Sequence, residues 1–195
     1  LFSNTSGGAN VAMGGYDGGS ISSALRANTT GSNNTGIGVG ALSNNTTGSQ
    51  NTALGWRAGR GTTTSGNNTA IGALTLDQNN AGENTAVGYY AAQAASGGQN
   101  VVMGVGAGQS GSSMTSGSKN TILGSFSGNA YNVDIRSASN RIVLSDGDGN
   151  PVEVSISNGL ETRQTGAQST RQYGLYQQRG TSETTFNLLT ASKVS

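Results

Sequence analysis

The sequence predicts an all-β chain: a parallel β-solenoid (β-roll) repeat array, trimeric, followed by a small β-rich tail. Three observations predict it. A five-residue motif returns along the chain, its spacing suits one solenoid coil, and the composition is polar yet periodic.

The motif is clearest as "NTALG" at Asn51, "NTAIG" at Asn68, "NTAVG" at Asn84, "NTGIG" at Asn34 and "NTILG" at Asn120. Weaker copies are "NVAMG" at Asn10, "NVVMG" at Asn100 and "NRIVL" at Asn140. Successive copies are 24, 17, 17, 16, 16, 20 and 20 residues apart. Most of these steps are too short for helix-pair repeats or propeller blades, and they fit a coil that stacks only on its neighbours. The longer steps are a coil plus a corner insertion, such as "DGGSISSALRA" before Asn34 and "GSSMTSGS" before Asn120.

Each motif position has a reading. Strand side chains alternate, so the second and fourth residues share one side and the third faces the other. The fourth position is apolar: Met13, Ile37, Leu54, Ile71, Val87, Met103 and Leu123. This reads as a buried aliphatic column running up the solenoid. The third position is small in five copies (Ala12, Gly36, Ala53, Ala70, Ala86), which suits a close approach by something on that side. The first position forms a structural Asn column, Asn10, Asn34, Asn51, Asn68, Asn84, Asn100 and Asn120, whose side chains hydrogen-bond between levels. The closing Gly suits a corner at positive φ.

Composition limits the alternatives. The 195 residues include 33 Gly, one Pro, no Cys and no His, with 32% hydrophobic and 10% charged residues and a net charge of +1. Disorder of polar chains usually comes with high net charge, which is missing here. Near neutrality gives no case for nucleic acid or an anionic membrane, and no apolar run is long enough for a membrane-spanning helix. The lack of Cys excludes disulfides and Cys-based metal sites, and the lack of His excludes His-based acid–base catalysis. "GVGAG" (104–108) lacks the helix pattern and the Lys-Ser/Thr ending of a phosphate loop. No enzyme, cofactor or metal site is expected. Each coil buries only two or three aliphatic side chains, which calls for long stacks of hydrogen-bonded coils or for several chains packed together, the latter as a homotrimer. Closed three-fold symmetry would then bring the small-residue side onto a common axis.

The chain divides at a composition shift. Residues 1–136 read as the repeat array and 137–195 as a β-rich connector or the start of a C-terminal domain. Residues 1–139 carry 9 charges and 27 Gly, against 10 charges and 6 Gly in 140–195. "SNRIVLSDGDGNPVEVSIS" (139–157) predicts strand, turn and strand. Asp146, Asp148 and Asn150 brush the calcium-loop pattern, which then fails at Pro151 and Ser157. "RQYGLYQQRGTSETTFNLLTAS" (171–192) predicts two strands around "RGTSE". The aromatic residues Trp56, Tyr89, Tyr90 and Phe126 follow the motif; they are candidates for a sugar contact or, more plainly, for filling corners.

The stretch "GSNNTGIGVGALSNNTTGSQNTALGWRAG" (31–59) resembles the repeat arrays of phage tail fibres and related virion appendage proteins. It is also similar to the head repeats of trimeric autotransporter adhesins. The resemblance covers roughly residues 7–133, and "SNRIVLSDGDGNP" looks like the segment that follows such arrays in phage fibres. It implies a homotrimer of left-handed parallel β-rolls used for attachment to a cell surface. For this chain it implies a rigid rod in a virion tail fibre, with other virion tail proteins and a host surface glycan as further partners. A coiled-coil stalk and membrane anchor, expected of an adhesin, are not seen in the sequence, nor is the self-cleaving chaperone domain with which many such fibres end. The alternatives are a cellular trimeric adhesin head at a bacterial surface and an ice-binding β-solenoid. Ice binding needs a flat exposed Thr grid, and here the motif Thr shares the side assigned to the buried column.

Overall fold

The computed structural model describes residues 1–15, 18, 23–109, 116–130, 133–156, 159–162 and 173–175. Its main feature is a column of three-residue parallel strands: β1 (Val11–Met13), β2 (Thr35–Ile37), β3 (Thr52–Leu54), β4 (Thr69–Ile71), β5 (Thr85–Val87), β6 (Val101–Met103) and β7 (Thr121–Leu123). Each pairs with the next in unbroken register, so Thr52 lies beside Thr69, Ala53 beside Ala70 and Leu54 beside Ile71. The chain is a parallel β-solenoid, as the motif spacing predicts.

A short antiparallel pair, β8 (Asn129–Ala130) and β9 (Val133–Asp134), stands outside the main sheet. β10 (Ile142–Ser145) then adds an eighth parallel strand beside β7. The chain turns through "DGDGN" and returns antiparallel as β11 (Pro151–Ile156). Pro151 sits at the first position of that strand, where the missing N–H is tolerated. β12 (Gly159–Thr162) and β13 (Tyr173–Leu175) continue the sheet in antiparallel fashion. The expected strand–turn–strand in 139–157 is therefore present. Of the two strands expected in 171–192, only Tyr173–Leu175 is described, and the rest lies outside the described residues.

The interior differs from the sequence expectation. The third motif residue points inward: Ala53, Ala70, Ala86, Val102 and Ile122 are all fully buried, and so is Val143, because the eighth copy lies one residue later than "NRIVL" at Asn140 implies, with Ile142 beside Thr121 and Arg141 in the Asn place. The fourth points out. Met13 is 65% exposed, Leu54 46% and Met103 43%, Ile71 and Leu123 are exposed as well, and Ile37 and Val87 are half-buried. Within one chain the column Met13, Ile37, Leu54, Ile71, Val87, Met103, Leu123 is thus not the core, and Ala53, Ala70 and Ala86 do not face a neighbouring chain. The reason is width. A coil of 16 or 17 residues closes on itself tightly, and where the far wall supplies a buried leucine, as at Leu42 and Leu76, the motif residue is as small as Gly36 or Ala70.

The opposite wall shows the same constraint. Leu42, Gly59, Leu76, Ala92 and Gly108 occupy equivalent levels, as their rung hydrogen bonds show. Gly36 faces the Leu25 side chain, and a Cβ added at Gly59 would come within 2.9 Å of Leu42 Cδ2. Where the far wall shrinks to Gly108, the motif residue grows to Val102. At Ala53 and Gly59 both walls are small, and Leu42 of the adjoining level fills the space.

Two backbone devices hold the levels. At the motif Gly, φ lies in a region that L side chains avoid: +135° at Gly55 and +126° at Gly72. A Cβ at Gly55 would also meet the Gly72 carbonyl carbon at 2.7 Å. Ahead of each Asn of the column Asn10 to Asn120 stands a residue at positive φ, near +60° at Gln50, Asn67, Glu83, Gln99 and Lys119, and Asn140 takes the same place before Arg141. This left-handed turn leaves the Asn backbone N–H without a carbonyl partner in the rung, and the Asn column supplies one.

Candidate functional site

The Asn column is a continuous ladder. Asn34 N donates to Asn10 Oδ1 at 2.9 Å, and Asn51 N to Asn34 Oδ1 at 3.0 Å. The pattern continues through Asn68, Asn84, Asn100 and Asn120, and ends with Arg141 N on Asn120 Oδ1. The Nδ2 groups add further ties: Asn34 Nδ2 donates to the Gly48 carbonyl at 2.8 Å and Asn51 Nδ2 to that of Ser65 at 2.9 Å, whereas Asn68 Nδ2 donates to Asn51 Oδ1 at 3.2 Å. Only an amide one carbon from Cα supplies an acceptor and a donor here. Asn34 to Asn120 are buried, so the column serves structure and offers no ligand surface.

A second Asn column was not anticipated. Asn28 Nδ2 donates to Asn4 Oδ1 at 3.0 Å and Asn45 Nδ2 to Asn28 Oδ1 at 2.8 Å. The signal was in the sequence, as "ANTTGS" at 27–32 and "NNTTGS" at 44–49. It was masked because the column stops at Thr62.

Two outward surfaces remain. The first is the flat sheet face. Its columns are Val11, Thr35, Thr52, Thr69, Thr85, Val101, Thr121 and Met13, Ile37, Leu54, Ile71, Val87, Met103, Leu123, in parallel register. Levels repeat at about 4.8 Å. The fourth-position column makes an extended apolar stripe along this outward face.

The second surface lies past the glycine corner. Leu74 N donates to Trp56 O, Tyr90 N to Ala73 O and Gly106 N to Tyr89 O. Trp56, Ala73, Tyr89 and Val105 therefore stand one above another, beside the column Arg57, Leu74, Tyr90 and Gly106. Trp56 and Tyr89 are exposed, Tyr90 is half-buried, and Tyr89 meets Tyr90 edge to face at 4.4 Å between centroids. A hydrogen bond with Tyr90 raises the Tyr89 phenol above its ordinary pKa. The three sugar-contact candidates of the array thus share one patch. Phe126 does not join them, because it is fully buried and fills the interior.

The Arg57 guanidinium lies over the Trp56 ring, 5.1 Å from its centroid. It also grips Asp77, with Nε to Oδ1 at 3.1 Å and Nη2 to Oδ2 at 2.8 Å. Arg60 Nε stands 2.8 Å from the same carboxylate, whose side chain is wholly buried.

In the tail turn, Asp146 is already saturated. It accepts from Asp148 N at 3.0 Å and from Asn150 N and Nδ2 at 2.8 and 2.9 Å. The Asn150 bonds hold its carboxyl below the ordinary range. This is turn chemistry, and no group of three or more metal-ligating side chains occurs among the described residues. Among them, too, no helix is long and apolar enough to cross a membrane.

Comparison with protein-family models, curated proteins and solved structures finds no match to the chain.

Proposed function

We propose that the chain is a rod segment of a virion tail fibre, a homotrimer that spaces or presents receptor-binding parts for host attachment. One observation carries the reading: among the described residues, Met13, Leu54, Ile71, Met103 and Leu123 of the outward aliphatic column are exposed. Burying this column against two further copies supplies the apolar contact that so narrow a coil cannot generate alone. The repeat resemblance supports the virion setting. Backbone rungs and the Asn ladder run along the axis, which favours a stiff spacer over a hinge. Eight levels give a rod on the order of 35–40 Å. The reading involves no catalysis.

The test is to localise the chain on intact virions by electron microscopy and to delete residues 31–133. Loss of host adsorption is expected. Unchanged adsorption, or absence of the chain from particles, would sink the reading and leave the cellular adhesin head as the nearest alternative.

A second reading has a specific observation behind it. Thr35, Thr52, Thr69 and Thr85 lie on the outward face and not inside, so the ground for setting ice binding aside is gone. In that reading the face stays bare. Light scattering separates the two: a trimer supports the fibre, whereas a folded monomer with thermal hysteresis supports ice binding.

A further inference from the structure

We propose that copies of the chain meet across the glycine corner, the outward Met13–Leu123 column of one copy packing on a second apolar column of the next. That second column lies just past the motif Gly. Arg57 N donates to Val39 O, and with the rungs given above this aligns Val39, Trp56, Ala73, Tyr89 and Val105. Trp56, Tyr89 and Val105 are exposed, and Val39 and Ala73 are half-buried. Only the motif Gly separates the two columns at each level, so the apolar surface is continuous round the corner and carries no charge from Ile37 to Val105 in either column.

Cyclic closure explains why there are two. A ring of copies is built from heterologous contacts, in which one patch on a subunit meets a different patch on the next. One apolar column cannot supply both halves of such a contact. The other neighbour of the Met13–Leu123 column does not supply the second half, because on the strand face it is Thr at Thr35, Thr52, Thr69, Thr85 and Thr121. The column past the corner does. A rotation about an axis along the rod has no translation, so each level meets its own level on the neighbour. Ile71 then faces the smallest residue of the opposing column, the partner's Ala73, and the smaller Val87 faces the large side chain of the partner's Tyr89. Volumes that alternate in this way suit a close contact. The Arg57 guanidinium beside Trp56 is tied to Asp77, so the contact buries no unpaired charge there.

This rests on the trimer reading and goes beyond it by naming the two surfaces that meet. The chain has no Cys, so an introduced thiol is unique. Full-length Ile71→Cys and Ala73→Cys chains with different tags are coexpressed and treated with a short bis-maleimide cross-linker. Cross-linking between the two tags is expected at a yield about tenfold above that of either variant alone. Ala73→Glu is expected to weaken association at least tenfold in light scattering at unchanged circular dichroism, and Thr52→Glu, on the strand face, to leave it unaltered. A trimer without the mixed cross-link, self-linking of Ile71→Cys at equal yield, or the reverse pattern in the two Glu variants would each overturn the pairing and leave the trimer reading standing. A monomeric mass for the native chain would overturn both. The thiol variants change little volume and decide the matter if a charged variant fails to fold.

Discussion

Asn45 Oδ1 lies in the interior without a hydrogen-bond partner among the described residues. The level below should supply a donor, as Asn45 supplies one to Asn28, but Thr62 stands there and turns its hydroxyl to the Gly59 carbonyl at 2.7 Å. An unsatisfied buried acceptor costs about 1–3 kcal/mol. Thr62→Asn is therefore expected to extend the second ladder and raise the melting temperature by about 2–4 °C, read by circular dichroism. An unchanged or lower value would refute the ladder account. The opposite effect is expected in the first ladder. Asn68→Ala deprives Asn84 N of its acceptor and Asn51 Oδ1 of a donor. A loss of about 1–3 kcal/mol in denaturant unfolding follows from the one buried group left unpaired, Asn84 N, since Asn51 Oδ1 still accepts from the backbone N–H of residue 68.

At the scale of the coil, stability rests on the match between two walls. Ala70 is packed inside, one level from Ala53 and Ala86 and on the same level as Leu76. Ala70→Leu is expected to cost about 1–3 kcal/mol of chain stability by over-packing. The loss should appear in the unfolding of the chain itself, independent of protein concentration. A substitution that left unfolding unchanged but dissociated an oligomer would mean that the third position faces a neighbour after all. The ion cluster has a similar local role: Asp77 bridges Arg57 and Arg60 across two levels, where the motif's spacing passes from 17 to 16 residues.

At the scale of the molecule, the outward column sets assembly. Ile71→Lys places a charge in the middle of the proposed interface and leaves the interior untouched, so it is expected to shift trimer to monomer in light scattering while rung geometry survives. Retention of the native mass would show that this face does not hold the assembly. The pH response should be flat. Among the described residues, two carboxyls have depressed pKa values: Asp134, through its hydrogen bonds with Arg136, and Asp146, through those from Asn150. A depressed folded pKa gives stability that is present above the unfolded carboxylate value and lost as pH falls through the folded one. Thermal unfolding is therefore expected to be constant from about pH 5 to 9 and to decline only below about pH 4. A transition near pH 6–7 would contradict this, since the chain has no His.

The sequence by itself determined the solenoid, its levels, its rungs and the Asn column. Each of these follows from a short repeat whose polar residues can be satisfied only by identical neighbours above and below. It also placed the strand–turn–strand of the tail, because "DGDGNP" is turn chemistry between two apolar runs. Which side of the strand is inside was decided only by the tertiary structure. Alternation puts Thr69 and Ile71 opposite Ala70, but it does not say which set the coil encloses. Apolarity pointed to Ile71, whereas the narrow interior admits Ala70 and leaves Ile71 outside. The Trp56–Ala73–Tyr89 column was hidden for the same reason. These residues are 16 or 17 positions apart in sequence, and only the stacking of coils makes them neighbours.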